Sequence, residues 1–242
     1  MNIRKVIVDF SSRTRTALIL CVLSALAGRG TAAAQTGPDV IPAKRFEVGG
    51  GAIWLSGTSL GAATATLTPN QGTGRFTLFD SSERLEGVVG AAAHIAFNIT
   101  HVWAVEGSFA WSKPTVQTTI SGDAENAPAM TFTGETLSQY FLEGGIVGHL
   151  TRWTFRGAAV PFLEAGGGYL RQLHEGSALV ETGQVFHAGG GLKYVFSSAS
   201  NRRLKRAGLR GDAKVYVRSG GFEIDSKRRP AVALGGGVFV VF

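Results

Sequence analysis

The stretch that decides the fold is Ala231–Phe242, with the sequence AVALGGGVFVVF. One set of alternate residues carries most of the larger apolar side chains, namely Val232, Leu234, Val238, Val240 and Phe242. Residues two apart share a face of a β-strand, so this spacing predicts a strand with one largely apolar face. The sequence ends inside that strand, on an aromatic residue.

Seven further stretches have strand character and are separated by joints rich in Gly, Asn, Ser and Asp. With the last one, the eight predicted strands are Phe46–Ser56, Leu85–Phe97, Val102–Ile120, Phe132–Leu150, Val160–Leu173, Gln184–Phe196, Leu209–Ser219 and Ala231–Phe242. Most reach the roughly 9–11 residues that a tilted strand needs to cross a bilayer. The sequence therefore predicts an all-β fold of eight antiparallel up-and-down strands, closed as a transmembrane β-barrel.

The links between the predicted strands alternate in length. The shorter links are 98–101, 151–157 and 197–208, and the links on the other side are 57–84, 121–131, 174–183 and 220–230. Short turns on one side and longer loops on the other are typical of outer-membrane barrels. Within the longest loop, Thr64–Leu67 and Phe76–Phe79 indicate a hairpin. The sequence leaves open whether that hairpin extends above the membrane or folds inward.

The two faces of the predicted strands differ in polarity. In the seventh strand, Arg210, Asp212, Lys214 and Arg218 alternate with the apolar set Leu209, Gly211, Ala213, Val215 and Val217. A soluble barrel would turn its apolar face inward, and composition alone permits that orientation. Charges interleaved with an apolar set favour a lipid-facing exterior and a polar lumen.

The first residues indicate export. A leader with Arg4, Lys5, Arg13 and Arg15 precedes the apolar run Ala17–Ala27, which is too short to span a bilayer. Small residues at 32–34 predict cleavage before Gln35. The predicted organisation is a signal peptide (1–34), a periplasmic lead-in (35–45) and an outer-membrane barrel (46–242).

Charge and cysteine content exclude several classes of protein. The formal charge of +7 falls to about +3 without the leader, which carries five of the basic residues and Asp9. That balance gives no argument for nucleic-acid binding. The single cysteine, Cys21, lies in the apolar run behind Ile19 and Leu20, a context that argues against lipidation. The mature chain would then have neither a disulfide nor a thiolate metal site.

Charged residues on the inward faces predict a salt-bridge network inside the barrel, because buried charges must be paired. The predicted members are Glu47, Glu86, Glu106, Glu143, Glu164, Lys193, Arg210, Asp212, Lys214 and Arg218. His94, His149 and His187 could join it through hydrogen bonds. An eight-stranded barrel is just wide enough for its own side chains, so the network would plug the lumen. A gated ion path along the same charges is the alternative.

The mature chain resembles the small OmpA-like and OmpX-like outer-membrane barrel family, often labelled the porin family. The resemblance lies in Pro161–Tyr169 (PFLEAGGGY), His187–Tyr194 (HAGGGLKY) and the strand ending in Phe242, and it covers about residues 46–242. It implies a cell-envelope protein in a Gram-negative-type outer membrane. It also implies that the last strand, with Val238, Val240 and Phe242, is the signal read by the barrel-insertion machinery.

No motif indicates a metal, a cofactor or catalysis. The Gly triplets lack the Lys-Ser/Thr of a phosphate-binding loop, and in a narrow barrel they would make room for long side chains of neighbouring strands. The histidines form no close metal-binding pair. A deacylase acting on lipid A would need an activated serine, for which His174 and Ser177 are the nearest candidates without a motif. We expect no enzyme.

Loop charges indicate contacts at the membrane surface. Lys227, Arg228 and Arg229 could pair with lipopolysaccharide phosphates, or could be a solvated loop. The basic stretch 202–206 could touch anionic headgroups of the inner leaflet, or could be a solvated turn. We therefore expect a monomeric structural or surface-interaction protein, with a narrow channel for ions or small solutes as the alternative and a lipid A-modifying enzyme as the third candidate.

Overall fold

The computed structural model describes residues 40–68, 74–125, 127–174, 179–198, 206–221 and 229–242. The predicted signal peptide and residues 35–39 of the lead-in lie outside the described residues. The strands are β1 (Arg45–Leu55), β2 (Thr58–Leu67), β3 (Phe76–Leu85), β4 (Val88–Asn98), β5 (Trp103–Ser112), β6 (Thr115–Ser121), β7 (Met130–Thr136), β8 (Ser138–His149), β9 (Ala159–Leu173), β10 (Val180–Ser198), β11 (Arg206–Gly220) and β12 (Arg229–Val241). A short 3-10 helix, Thr151–Trp153, precedes β9.

Eight of these strands form a closed antiparallel barrel, in the order β1-β12-β11-β10-β9-β8-β5-β4. This confirms the predicted fold class. Each residue can be followed to its paired residue on the next strand, once around the barrel. Starting from Glu47 on β1 and moving through β4, this path ends at Ala231 on β12. Glu47 itself pairs with a different residue of β12, Val241. The stagger is the ten residues that separate those two positions. A stagger of this kind tilts the strands by roughly 35–45° from the barrel axis.

The other four strands form a second sheet in the order β2-β3-β6-β7, which we call the outer sheet. Each of its strands continues a barrel strand in the chain, and its order repeats the barrel order β1-β4-β5-β8. The hairpin expected in the long loop is therefore β2–β3. Its second strand, β3, pairs with β6 and so joins the hairpin to the rest of the outer sheet. We call the barrel end next to this sheet the sheet end, and the opposite end the terminal end.

Two predicted strands are wrong in their extent. Val102–Ile120 is interrupted at Lys113 and Pro114, and Phe132–Leu150 is interrupted at Leu137. Pro114 has no N–H to donate to a ladder, so it ends β5, and β6 begins after it. At these interruptions Leu60, Leu85, Val116 and Leu137 pack into a small buried cluster that anchors the outer sheet.

Among the described residues, no helix is long and apolar enough to cross a membrane.

A charged network in the barrel lumen

The barrel strands turn polar side chains inward and apolar side chains outward. On β11, Leu209 and Val215 are about half exposed, at 50% and 49%, whereas Arg210 and Lys214 are buried. The same alternation places Glu106 inside and Val105 outside on β5. The opposite orientation, with the apolar face inward as in a soluble barrel, is therefore wrong for these strands.

The cluster nearest the terminal end is centred on Lys193 of β10. Its Nζ donates to both carboxylate oxygens of Glu47, at 2.7 and 2.8 Å, and lies 3.2 Å from His149 Nε2. His94 Nε2 lies 3.2 Å from the same carboxylate. Lys193 and Glu47 are both fully buried. Such a pair is tolerated in the interior only when its remaining hydrogen-bonding groups are also satisfied.

Aromatic rings flank the ammonium group of Lys193. Its Nζ lies 5.6 Å from the ring centroids of both Phe162 and Phe239, within the range of cation–π attraction. Phe162 also packs on Ala104 and Val147, and both rings are buried. These rings fill the terminal end of the lumen around the ion pair.

A second cluster lies in the middle of the lumen and is centred on Arg210. Its guanidinium binds Glu106 in a bidentate manner, with N–O distances of 2.6 and 3.0 Å, and donates to Glu164 at 2.8 Å. Lys214 Nζ is 3.3 Å from the same Glu164 carboxylate, and Asp212 lies beside both cations. The planar guanidinium suits this task, because it presents fixed donors to two carboxylates at once.

A third cluster surrounds Glu143 of β8. Tyr216 Oη and Ser108 Oγ donate to its Oε2 at 3.2 and 3.3 Å, and His187 Nδ1 lies 3.3 Å from the same oxygen. The His187 and Tyr216 rings stand 5.6 Å apart. All three predicted histidines thus join the lumenal side chains, one pair with Glu47 and Lys193 and the third with Glu143.

An apolar layer covers the network toward the sheet end. It consists of Ile53, Leu55, Ala110, Phe141, Leu170, Val185, Tyr216, Ala231 and Ala233. Beyond it, Gln172 donates to Gln139 at 2.9 Å. Buried Arg218 lines a cavity of about 20 Å³ at this mouth, together with Glu86.

A small cavity lies within the barrel. It measures about 50 Å³ and lies beside Arg210, Asp212 and Lys214, against a wall of glycines from β1 and β12. A space of this size admits only a few water molecules. Gly51 in this wall shows why glycine is needed, because a Cβ there would lie 2.1 Å from the backbone oxygen of Gly236.

The structure brings together most of the predicted network. Glu47, Glu106, Glu143, Glu164, Lys193, Arg210, Asp212 and Lys214 all make the contacts described, and Arg218 is buried nearer the mouth. The prediction that Glu86 belongs to the lumenal network is wrong. Glu86 lies in the link between β3 and β4, and it accepts a hydrogen bond from Gln117 of the outer sheet. The chain leaves the barrel wall at Glu86 and Gly87, so this carboxylate stays at the mouth.

Other predicted positions lie at the surface or outside the described residues. Val238 and Phe242 point outward, and the Phe242 N–H bonds to Phe46 O, which ties the end of the chain to β1. Lys227, Arg228 and Ser177 lie outside the described residues, as do 202–205 of the basic stretch. His174 contacts Glu135 through Nδ1. Among the described residues, no group of three or more His, Cys, Asp or Glu is placed to hold a metal ion.

Sequence patterns alone missed Tyr216 and Ser108 beside Glu143, and the two phenylalanine rings beside Lys193. Tyr216 shares the inward face of β11 with Lys214 and Arg218, and that alternation could have identified it. The rings of Phe162 and Phe239 also follow the inward alternation. Their position on either side of Lys193 depends on the way the barrel closes.

Comparison with known proteins gives likenesses of fold only. The Neisserial surface protein A structure has a TM-score of 0.47 at 13% identity, covering 81% of this chain and 97% of that one. The outer membrane protein OprG of Pseudomonas aeruginosa has a TM-score of 0.47 at 10% identity (85% and 99%). Ail, the attachment invasion locus protein of Yersinia pestis, has a TM-score of 0.38 at 11% (83% and 100%). These values carry no argument, so the fold assignment rests on the register of this chain itself.

No protein-family model and no curated protein matches the chain.

Proposed function

We propose that this chain is an integral outer-membrane β-barrel protein with a structural or surface-interaction role, and that its charged network plugs the lumen. The observation that carries the proposal is the reversed polarity of the barrel, with buried ion pairs inside and large apolar side chains outside. Val89, Leu142 and Leu163 are each more than half exposed. Large apolar side chains exposed on the outside of a barrel mark a surface that meets lipid.

The native tryptophans test the membrane assignment. All four, Trp54, Trp103, Trp111 and Trp153, are exposed on the outside. In vesicles made with brominated lipids, their fluorescence should be strongly quenched relative to vesicles of ordinary lipid. Equal fluorescence in both kinds of vesicle would contradict a lipid-facing exterior.

The plugged lumen is distinguished from a narrow channel by conductance in planar bilayers. The apolar layer at the sheet end, the phenylalanine pair at the terminal end and the ion pairs between them support a plug. We expect insertion without conductance steps. Discrete ion-conducting steps from the wild-type protein would favour the channel, with the charges along Arg210 and Lys214 as its path.

The proposal extends to partners. One chain supplies all eight strands of the closed barrel, so a monomer is enough to form it. The proposal includes no catalytic role. The outward residues Val238, Val240 and Phe242 would be read by the insertion machinery. Lys227, Arg228 and Arg229 would contact lipopolysaccharide phosphates. Unchanged lipopolysaccharide retention after R228S/R229S would overturn that contact.

A further inference from the structure

We propose that Lys113 and Arg171, with Trp111 and Tyr140 between them, form a binding site on the outer wall of the barrel for the phosphorylated headgroup of an outer-leaflet glycolipid. The inference goes beyond the loop contact at residues 227–229. It rests on the proposed function, in that the barrel must span an outer membrane with its sheet end facing outward.

Strand register places these four residues side by side. Trp111 of β5 pairs with Tyr140 of β8, and Tyr140 pairs with Arg171 of β9. Trp111 and Arg171 are exposed on the outer face, and Tyr140 is half-buried. Lys113 follows Trp111 on the same face and holds its Nζ 5.6 Å from the indole centroid. The two cations therefore flank two aromatic rings.

The stagger of the barrel brings the two cations to one height. A register row climbs by ten residues over the eight strands, or about two and a half residues over the two steps from β5 to β9. Arg171 thus lies about that far above Trp111, toward the sheet end. Lys113 lies two residues beyond Trp111, just past the end of β5 at Ser112, and therefore about two residues above it. Both basic groups therefore stand at almost the same level of the wall.

That level matches the outer boundary of a bilayer. Trp103 begins β5 at the terminal end, and at about 3.3 Å per residue and a tilt of about 40° Lys113 lies roughly 25 Å above it. This is the usual height of the apolar band of an outer-membrane barrel. Below the cations, Phe109 and Leu142 are exposed and pair in register, which offers a wall for acyl chains.

Both cations are available to a ligand. Within the described residues, neither Lys113 nor Arg171 has a carboxylate at ion-pair distance, and Glu135 contacts His174 instead. A cation at the membrane boundary with no carboxylate partner among the described residues is suited to a lipid phosphate. Arg171 can bind that phosphate through two N–H groups, while Lys113 acts as a point charge. The aromatic rings would pack on the sugar and the first acyl carbons.

The test measures binding of diphosphorylated lipid A to the full-length processed protein, purified from outer membranes in detergent, by native mass spectrometry. We expect K113Q/R171Q to weaken binding about tenfold or more, because both basic groups that attract the anionic phosphates are removed. The control R152Q/R156Q removes the same charge from exposed arginines beside Trp153 and Phe155 at the terminal end, and should bind like wild type. Dephosphorylated lipid A should not distinguish wild type from K113Q/R171Q.

Several results would overturn the site. One is an unchanged affinity of K113Q/R171Q for lipid A, and another is an equal loss of affinity in the control variant. A third is full displacement of lipid A by millimolar inorganic phosphate, which would mean that the protein recognises the anion alone. The single variants K113Q and R171Q, expected to fall between, supply the same test if the double variant does not insert. A heat-dependent gel shift accompanies each measurement. Its presence with unchanged lipid binding rejects this site alone, whereas its absence in the wild type rejects the proposed function.

Discussion

Lys193 on β10 and Glu47 on β1 form an ion pair across the lumen, with Nζ 2.7 and 2.8 Å from the two carboxylate oxygens. The two strands are not neighbours, since β11 and β12 lie between them. The pair therefore forms only when the barrel has closed. The presence of this pair is therefore evidence of the completed barrel and not of any single hairpin.

Removing the lysine should destabilise the barrel strongly. Lys193→Met leaves Glu47 buried with only His94 beside it, and breaking a buried pair in this way costs about 3–5 kcal/mol. Glu47→Gln/Lys193→Met should recover most of the loss, because neither charge remains. Urea unfolding of protein refolded into lipid vesicles measures both variants. A change below about 1 kcal/mol in the single variant would show that the pair carries little stability.

Arginine at position 210 should not be replaceable by lysine. A lysine cannot bind Glu106 in a bidentate manner and reach Glu164 as well, so one carboxylate would lose its partner. We expect Arg210→Lys to lower the free energy of unfolding by about 2–3 kcal/mol. Arg171→Lys on the outer wall is the matched control and should change it by under about 0.5 kcal/mol. Equal stabilities for the two variants would argue against the importance of the bidentate contact between Arg210 and Glu106.

Two glycines on paired strands should differ sharply in their tolerance of alanine. A Cβ at Gly51 would lie 2.1 Å from the backbone oxygen of Gly236, which cannot rotate away. We expect Gly51→Ala to cost about 1–3 kcal/mol through overpacking. A Cβ at Gly236 would meet nothing within 4 Å, so Gly236→Ala should be tolerated. The comparison uses the same unfolding assay, and a tolerated Gly51→Ala would mean that the strands separate easily there.

The outer sheet should be separable from the barrel. Leu137 is fully buried in the cluster that anchors the sheet, so Leu137→Ser should loosen β2, β3, β6 and β7. Trypsin added to whole cells should then cleave after Arg84, while the barrel keeps its heat-dependent gel shift. Leu67→Ser, on the exposed surface of the same sheet, is the control and should remain resistant. Trypsin resistance of Leu137→Ser equal to that of wild type would show that this cluster does not hold the sheet.

Alternation along the strands predicts the inward face of the charged side chains within the barrel strands, and it fails only for Glu86, which lies outside those strands. A period of two assigns Glu106 and Arg210 to the inward face whatever the strand order. Their pairing could not be predicted in the same way, because contacts such as Lys193 with Glu47 depend on closure and stagger. Register around the barrel is a property of all eight strands together, and no single segment specifies it.

The strands themselves follow from alternation, but the points at which two of the predicted strands are interrupted do not. Pro114 is a visible signal, yet apolar alternation continues past it into β6, which made Val102–Ile120 look continuous. Leu137 carries no turn signal at all, since its buried side chain packs under the outer sheet. Glu86 was placed in the lumen for the same reason: the alternation of β4 extends over it although the wall ends at Val88.

Heat-modifiability in washed outer membranes tests the central claim most directly. The processed protein is run on a gel with and without boiling, after separation of outer-membrane and soluble fractions. A closed barrel with a lipid-facing exterior predicts a protein in the outer-membrane fraction whose mobility changes on boiling. Recovery in the soluble periplasmic fraction, with one mobility before and after boiling, would contradict it.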